Sequence, residues 1–220
     1  RQMCIRDRIS AITDSDKAFS EINLLLKKVD YLTEPNSGMN LLVSKILGHP
    51  DSEVILESFL HRYYKGERII SAIIVALREL DYFEHHEEQR RILELLVRLE
   101  VENPQVYYEL GRIYRFGKGT EKDAEQARNL YRKSAELGLA AAQVDLGYFH
   151  IQGMLGLNSD IKAAEHWFKQ AAEQGAPKAW HNLAELNVYL GNKENIDLAI
   201  QYFNNAIIAG FPAKDIKLWK

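Results

Sequence analysis

Between Gln105 and Gly210 one pattern of about 36 residues is written three times, and it constrains this chain more than anything else in it. The first copy runs Leu110-Gly111, Gly117, Asp123, Ala127, Tyr131, Ala135, Gly138. The second runs Leu146-Gly147, Gly153, Asp160, Ala164, Phe168, Ala172, Gly175. A third comes after them with Leu183-Ala184, Gly191, Asn195, Ala199, Phe203 and Gly210. A fixed period of this length marks a stacked array, in which each unit buries its apolar face only against its neighbours.

Composition is needed only for what it excludes. Of 220 residues, 46% are hydrophobic and 27% charged, so the chain can bury a core and is not disordered by composition. The net charge of −3 is spread along the chain without a basic block, which argues against nucleic acid as the main partner. The single cysteine, Cys4, can form neither an internal disulfide nor a zinc site of paired cysteines. The longest apolar runs, such as Ile69 to Leu77, fall far short of the roughly 20 residues that span a bilayer, so no transmembrane segment is expected.

The chain divides by composition near Pro104, beyond which 10 of the 13 glycines lie. Residues 1–8 have neither the apolar core of a signal peptide nor a helical pattern that continues past Arg8. They resemble translated adaptor sequence and read as a non-native leader, which leaves the compartment open between cytoplasm and periplasm. Residues 9–103 read as helical hairpins. Helical spacing of apolar residues predicts helices over 10–29 and 39–47, another from Asp51 or Ser52 to Gly66, then Glu67–Phe83 and Glu84–Glu102. The helix from Glu67, with Ile69, Ile70, Ile73, Ile74, Leu77 and Leu80, is apolar enough to need cover on more than one side. Residues 213–220 form a tail.

Within the repeats the marked positions have packing reasons. Gly111, Gly147 and Ala184 remove a side chain where two helix backbones are expected to approach, offsetting the roughly 1 kcal/mol that glycine costs in a helix interior. Asp123, Asp160 and Asn195 each precede an alanine by four residues, the place for an N-cap of the second helix. Tyr131, Phe168 and Phe203 are large knobs beside the small residues Ala135 and Ala172. Gly138, Gly175 and Gly210 stop each second helix by accepting positive φ.

Together these residues resemble Sel1-like repeats, a subclass of tetratricopeptide-type helical hairpins with a longer inner loop. The resemblance covers residues 104–212. It is most specific in Leu110-Gly111-Arg-Ile-Tyr114, in Tyr131-Arg-Lys-Ser-Ala135-Glu-Leu-Gly138 and in Trp167-Phe168-Lys-Gln-Ala-Ala172-Glu-Gln-Gly175. The third copy is degenerate, with Asn187 in place of the first-helix aromatic. The resemblance implies an all-α solenoid of stacked antiparallel hairpins that works as a non-enzymatic adaptor. It also implies a protein or peptide partner, and no cofactor. Secreted relatives that carry a disulfide in every repeat are set apart from this chain, which has no cysteine in any repeat.

Other constellations are weaker. Gly117-Lys118-Gly119-Thr120 is superficially similar to a phosphate-binding loop, yet lacks the contiguous Gly-Lys-Thr and the preceding strand. Glu84-His85-His86-Glu87-Glu88 fails the metalloprotease spacing because Arg90 stands where the second histidine belongs, and it reads as an acidic helix start. What remains free of packing duty is the inward face of the first helices. It carries Gln105, Tyr108, Arg112 and Arg115, then Val144, Tyr148, Ile151 and Gln152, then Lys178, His181, Glu185, Val188 and Tyr189. Of these, Tyr108, Arg112, Arg115, Tyr148, Gln152, His181, Glu185 and Tyr189 are the expected partner-binding set. Tyrosine and arginine dominate protein recognition, and Arg112 with Arg115 is suited to hold a partner's carboxylate. The alternative is an envelope protein that binds a small molecule or glycan, with or without hydrolysis, by stacking it on Tyr108, Tyr148, Tyr189 and His181.

Overall fold

The computed structural model describes residues 86–191 and 193–213, and besides them residues 56, 57, 60, 70, 71, 73–75, 77 and 78. The leader expected over 1–8, the helices expected over 10–29 and 39–47, and the tail from 214 onward lie outside the described residues. The chain divides into two compact units, Arg1–Glu100 and Val101–Lys220. Every regular element among the described residues is helical.

In the first unit, α1 spans His86–Arg98. It ends earlier than the sequence predicts, because the chain leaves the helix at Leu99 and Glu100 takes a positive φ of 56°. Ile92, Leu93, Leu95 and Leu96 are buried on it. Glu87 and Glu88 lie in its first turn, where acid complements the helix dipole, and Glu87 pairs with Arg91 at 2.7 Å. From the preceding segment Ile70, Ile73, Ile74 and Leu77 are helical and buried. The buried Gln89 Nε2 donates to the Leu77 carbonyl at 3.1 Å, while its buried Oε1 has no hydrogen-bond partner among the described residues.

The second unit holds three hairpins: α2 (Pro104–Phe116) with α3 (Ala124–Glu136), α4 (Ala140–Gln152) with α5 (Ile161–Glu173), and α6 (Pro177–Leu190) with α7 (Lys193–Ile208). Several of these boundaries follow from local chemistry. Asn103 caps α2 by accepting from the Gln105 N–H at 2.9 Å, ahead of Pro104 at the first helical position. Asp123 and Asp160 cap α3 and α5 by accepting from the N–H groups of Gln126 and Ala163. Asn195 is not a cap. Only Gly191 and Asn192 separate α6 from α7, which starts at Lys193, so Asn195 falls inside the first turn. Gly117 is an ordinary helix terminator: at φ 71° it returns its N–H to the Ile113 carbonyl, and no nucleotide loop comes after it.

Two clusters stack the hairpins. Ala127, Tyr131 and Ala135 of α3 meet Ala142, Leu146 and Phe149 of α4, with Tyr131 and Phe149 edge to face at 4.9 Å. Ala164, Phe168, Ala171 and Ala172 of α5 meet Val144 of α4 and Ala179 and Leu183 of α6. The seam is polar where it must be: buried Gln143 donates to the Ala135 carbonyl and accepts from Gln174 at 2.7 Å. The glycines serve these knobs differently from the close backbone approach that the sequence suggests. A Cβ on Gly147 would stand 2.5 Å from the Phe168 ring, and one on Gly111 3.2 Å from the Tyr131 ring. Each glycine therefore admits an aromatic ring against its helix backbone.

Candidate functional site

The face formed by the first helices α2, α4 and α6 is where side chains are left over from packing. On α4 the core takes Leu146, Gly147 and Phe149, so Tyr148 and Gln152, one turn apart, point away from it and are exposed. On α6 the core takes Leu183, Ala184, Leu186 and Asn187, and Asn182, Glu185 and Tyr189 form the opposing stripe. Between these two helices lies a groove of about 620 Å³, floored by Phe168 and Leu186 and edged by Ile151, Ser159, Ile161 and Val188. Tyr148 is 47% exposed and Tyr189 78%, a large aromatic on each wall.

The eight residues expected to bind a partner are not all brought together. Tyr148, Gln152, Glu185 and Tyr189 line this groove. Tyr108, Arg112 and Arg115 lie on α2 and are engaged internally. The Tyr108 hydroxyl donates to Asp145 Oδ2 at 3.0 Å, joining α2 to α4, and its ring meets Tyr131 edge-on at 5.5 Å. Arg112 Nη1 is 2.9 Å from Glu109 Oε2, a buried carboxylate of its own helix that also accepts from Gln105. The Arg115 guanidinium lies 4.6 Å over the Phe149 ring and 4.7 Å over Phe116, a cation–π arrangement. The carboxylate that the sequence assigned to a partner is, for Arg112, supplied by Glu109.

His181 is also displaced from the expected surface. It is buried, stacked on Phe211 at 4.3 Å and edge-on to Phe203 at 5.7 Å. Its Nδ1 sits 3.7 Å from Glu185 Oε2, so it stands behind the groove wall. Five groove residues escape prediction from the sequence: Asn182, Leu186, Ser159, Ile161 and Phe168, the last expected only as a packing knob. The first two are one residue from expected positions on α6. Ser159 and Ile161 flank the Asp160 cap, a place that first-helix periodicity does not reach.

The ladder of tyrosines between the repeats makes stability depend on alkaline pH. Burial pushes the Tyr131 hydroxyl up to about 12, against the opposing pull of Arg115, and burial with the Asp145 carboxylate raises Tyr108 too. Unfolded tyrosine ionises near 10. A raised folded-state value means stability that is whole below about pH 10 and drains as pH climbs toward about 12. Tyr131→Phe should therefore flatten the alkaline loss of stability measured by urea unfolding at about pH 9 to 12, while changing stability at pH 7 by less than about 1 kcal/mol. An alkaline profile identical to that of the unaltered chain would contradict the burial of this hydroxyl.

Among the described residues no cluster of three His, Cys, Asp or Glu side chains could hold a metal ion, and no helix is long and apolar enough to cross a membrane.

Comparison with known proteins reproduces the same boundaries. The Sel1 repeat family model matches residues 104–139, 140–175 and 178–211. An uncharacterised protein of Neisseria meningitidis serogroup B is 35% identical over 112 residues, covering 50% of this chain and 22% of that protein. An F-box protein of Arabidopsis thaliana is 42% identical over 62 residues, covering 28% and 17%. Chitin synthase regulatory factor 3 of Schizosaccharomyces pombe is 34% identical over 99 residues, covering 43% and 10%. The chain thus matches only about a fifth or less of the length of these relatives. Among solved structures, a Sel1 repeat protein from Oxalobacter formigenes superposes with a TM-score of 0.54 at 31% identity, covering 63% of this chain and 54% of that one. A protective antigen of uropathogenic Escherichia coli strains, displaying an SLR fold, gives a TM-score of 0.55 at 22% identity, with coverage of 79% and 38%, and shows the fold alone. Residues 104–211 are three Sel1 repeats stacked as a helical solenoid.

Proposed function

We propose that the chain is a non-enzymatic interaction scaffold whose docking site is the groove between α4 and α6. The observation that carries this reading is the pairing of two exposed tyrosines, Tyr148 and Tyr189, across a cleft of about 620 Å³ whose floor is apolar. Exposed aromatics beside an apolar floor supply contact area at low entropic cost, the usual composition of a recognition patch. The α2 surface makes a poorer candidate. Arg112 already has its charge countered by Glu109, and Tyr108 spends its one hydroxyl proton on Asp145, so each has less to offer a partner than an uncommitted side chain. Sel1 repeats typically mediate protein interactions, and the matched length here is made of them. A glycan or small-molecule site calls for a more enclosed cavity, whereas Tyr148, Gln152, Glu185 and Tyr189 are all open to solvent.

Peptides selected by phage display on the full chain provide the test. The double variant Tyr148→Ala/Tyr189→Ala should bind the selected peptides at least about tenfold more weakly, a loss of about 1.4 kcal/mol, with helicity unchanged because both side chains are exposed. Undiminished binding would place the docking site elsewhere.

A further inference from the structure

Among the described residues the groove carries a single charged side chain on its walls, Glu185, and this decides what kind of peptide it can take. The Glu185 side chain is 45% exposed. Its one close nitrogen partner among the described residues is the His181 Nδ1, at 3.7 Å, beyond hydrogen-bond distance. The carboxylate oxygens therefore retain acceptor capacity toward the groove. Tyr189 stands one turn further along α6 on the same wall as Glu185, and Tyr148 lines the groove from α4, so the carboxylate shares the groove with two electron-rich rings. A carboxylate near aromatic faces is a receptor for a cationic side chain, which gains a charge-assisted hydrogen bond and cation–π contact together. An acidic ligand would meet Glu185 as a like charge. The remaining lining suits the rest of a peptide. Gln152 and Asn182 offer amide donors and acceptors to its backbone, and Ile151, Ile161, Phe168 and Leu186 offer an apolar floor to neighbouring side chains.

Resting on the docking reading above, we infer that the α4/α6 groove selects a peptide segment that presents a lysine or arginine to Glu185 near Tyr148 and Tyr189, with apolar residues on either side. This is opposite in sign to the partner that Arg112 and Arg115 suggest from the sequence.

The experiment is selection from a positional-scanning library of acetylated, amidated decapeptides on the full chain and on two variants, Glu185→Gln and Asn182→Trp. The unaltered chain should enrich Lys or Arg over norleucine at one position by about tenfold, Glu185→Gln should abolish that preference while still binding, and Asn182→Trp should block selection. Basic enrichment that survives Glu185→Gln, or acidic enrichment on the unaltered chain, overturns the inference. Neutral apolar peptides that Asn182→Trp blocks overturn it too, but leave docking in the groove standing. Selection unaffected by Asn182→Trp, or no selected peptide at all, overturns both. Folding of each variant is checked by its thermal midpoint.

Discussion

Gly147→Ala should lower the stability of the repeat unit by about 2 kcal/mol, although alanine is the better helix former by roughly 1 kcal/mol. The added Cβ would lie 2.5 Å from Phe168 Cε1, 2.7 Å from Cδ1 and 3.0 Å from Cζ, where carbon atoms favour about 3.5–4.0 Å. Phe168 is 2% exposed and packed among Ala172, Ala179 and Leu183, so a ring pushed off Gly147 must disturb that cluster or protrude into the groove it floors. A close-packed interior passes such a displacement on as strain instead of absorbing it. Gly111→Ala makes the internal control, because its Cβ would meet Tyr131 Cδ2 at 3.2 Å and needs a shift of only a few tenths of an ångström. Its change should stay within about 0.5 kcal/mol, the strain and the gain in propensity nearly cancelling. In the Gly147→Ala background, Phe168→Leu should restore part of the loss, so a double-mutant cycle should give a coupling of at least about 0.5 kcal/mol. Equal midpoints in urea for the Gly147→Ala chain and the unaltered one would refute the ring-on-backbone contact.

Ala172→Leu and Ala135→Leu should each cost about 1–3 kcal/mol by overpacking the seam between hairpins. Ala172 is 2% exposed and Ala135 1%, each pressed between its own knob and the next hairpin's first helix. The third repeat supplies the contrast. Ile207 holds the register of these alanines and is 45% exposed, with no further hairpin among the described residues against it. Replacing Ile207 with alanine should therefore change stability by less than about 0.5 kcal/mol. Differential scanning calorimetry of the three variants separates the cases, and an Ala172→Leu chain that melts with the unaltered one would mean the seam has room the packing denies.

The repeat fold is legible in the sequence because its determinants are local and are written more than once. A knob, a small residue four positions later and a glycine three beyond that recur twice at one spacing, and Asp123 and Asp160 each name a helix start. What was not legible depends on contacts distant in sequence or on loop length. Asn195 looks like a cap by its distance from Ala199, but the connection ahead of α7 is so short that the helix begins at Lys193. His181 reads as a groove residue by periodicity, and is buried because Phe211 returns from 30 residues downstream to stack on it. Arg112 reads as a free cation, and Glu109 one turn earlier takes it. On α4 and α6 the exposed stripe arises from helical spacing alone, since Tyr148 and Gln152, like Glu185 and Tyr189, are four residues apart. That these two stripes close on one groove, with Ser159 and Ile161 at its edge, depends on how hairpins stack and has no counterpart in the periodicity.

Recognition between α4 and α6 is tested most directly by amide chemical-shift mapping. The ¹⁵N-labelled chain is titrated with a peptide selected on it. Perturbations are expected to cluster at Tyr148, Ile151, Gln152, Asn182, Glu185 and Tyr189, leaving the α2 amides around Arg112 and Arg115 unmoved. Perturbations centred on Tyr108, Arg112 and Arg115, or along α7 around Ile200 and Ile207, with the groove unchanged, would contradict it.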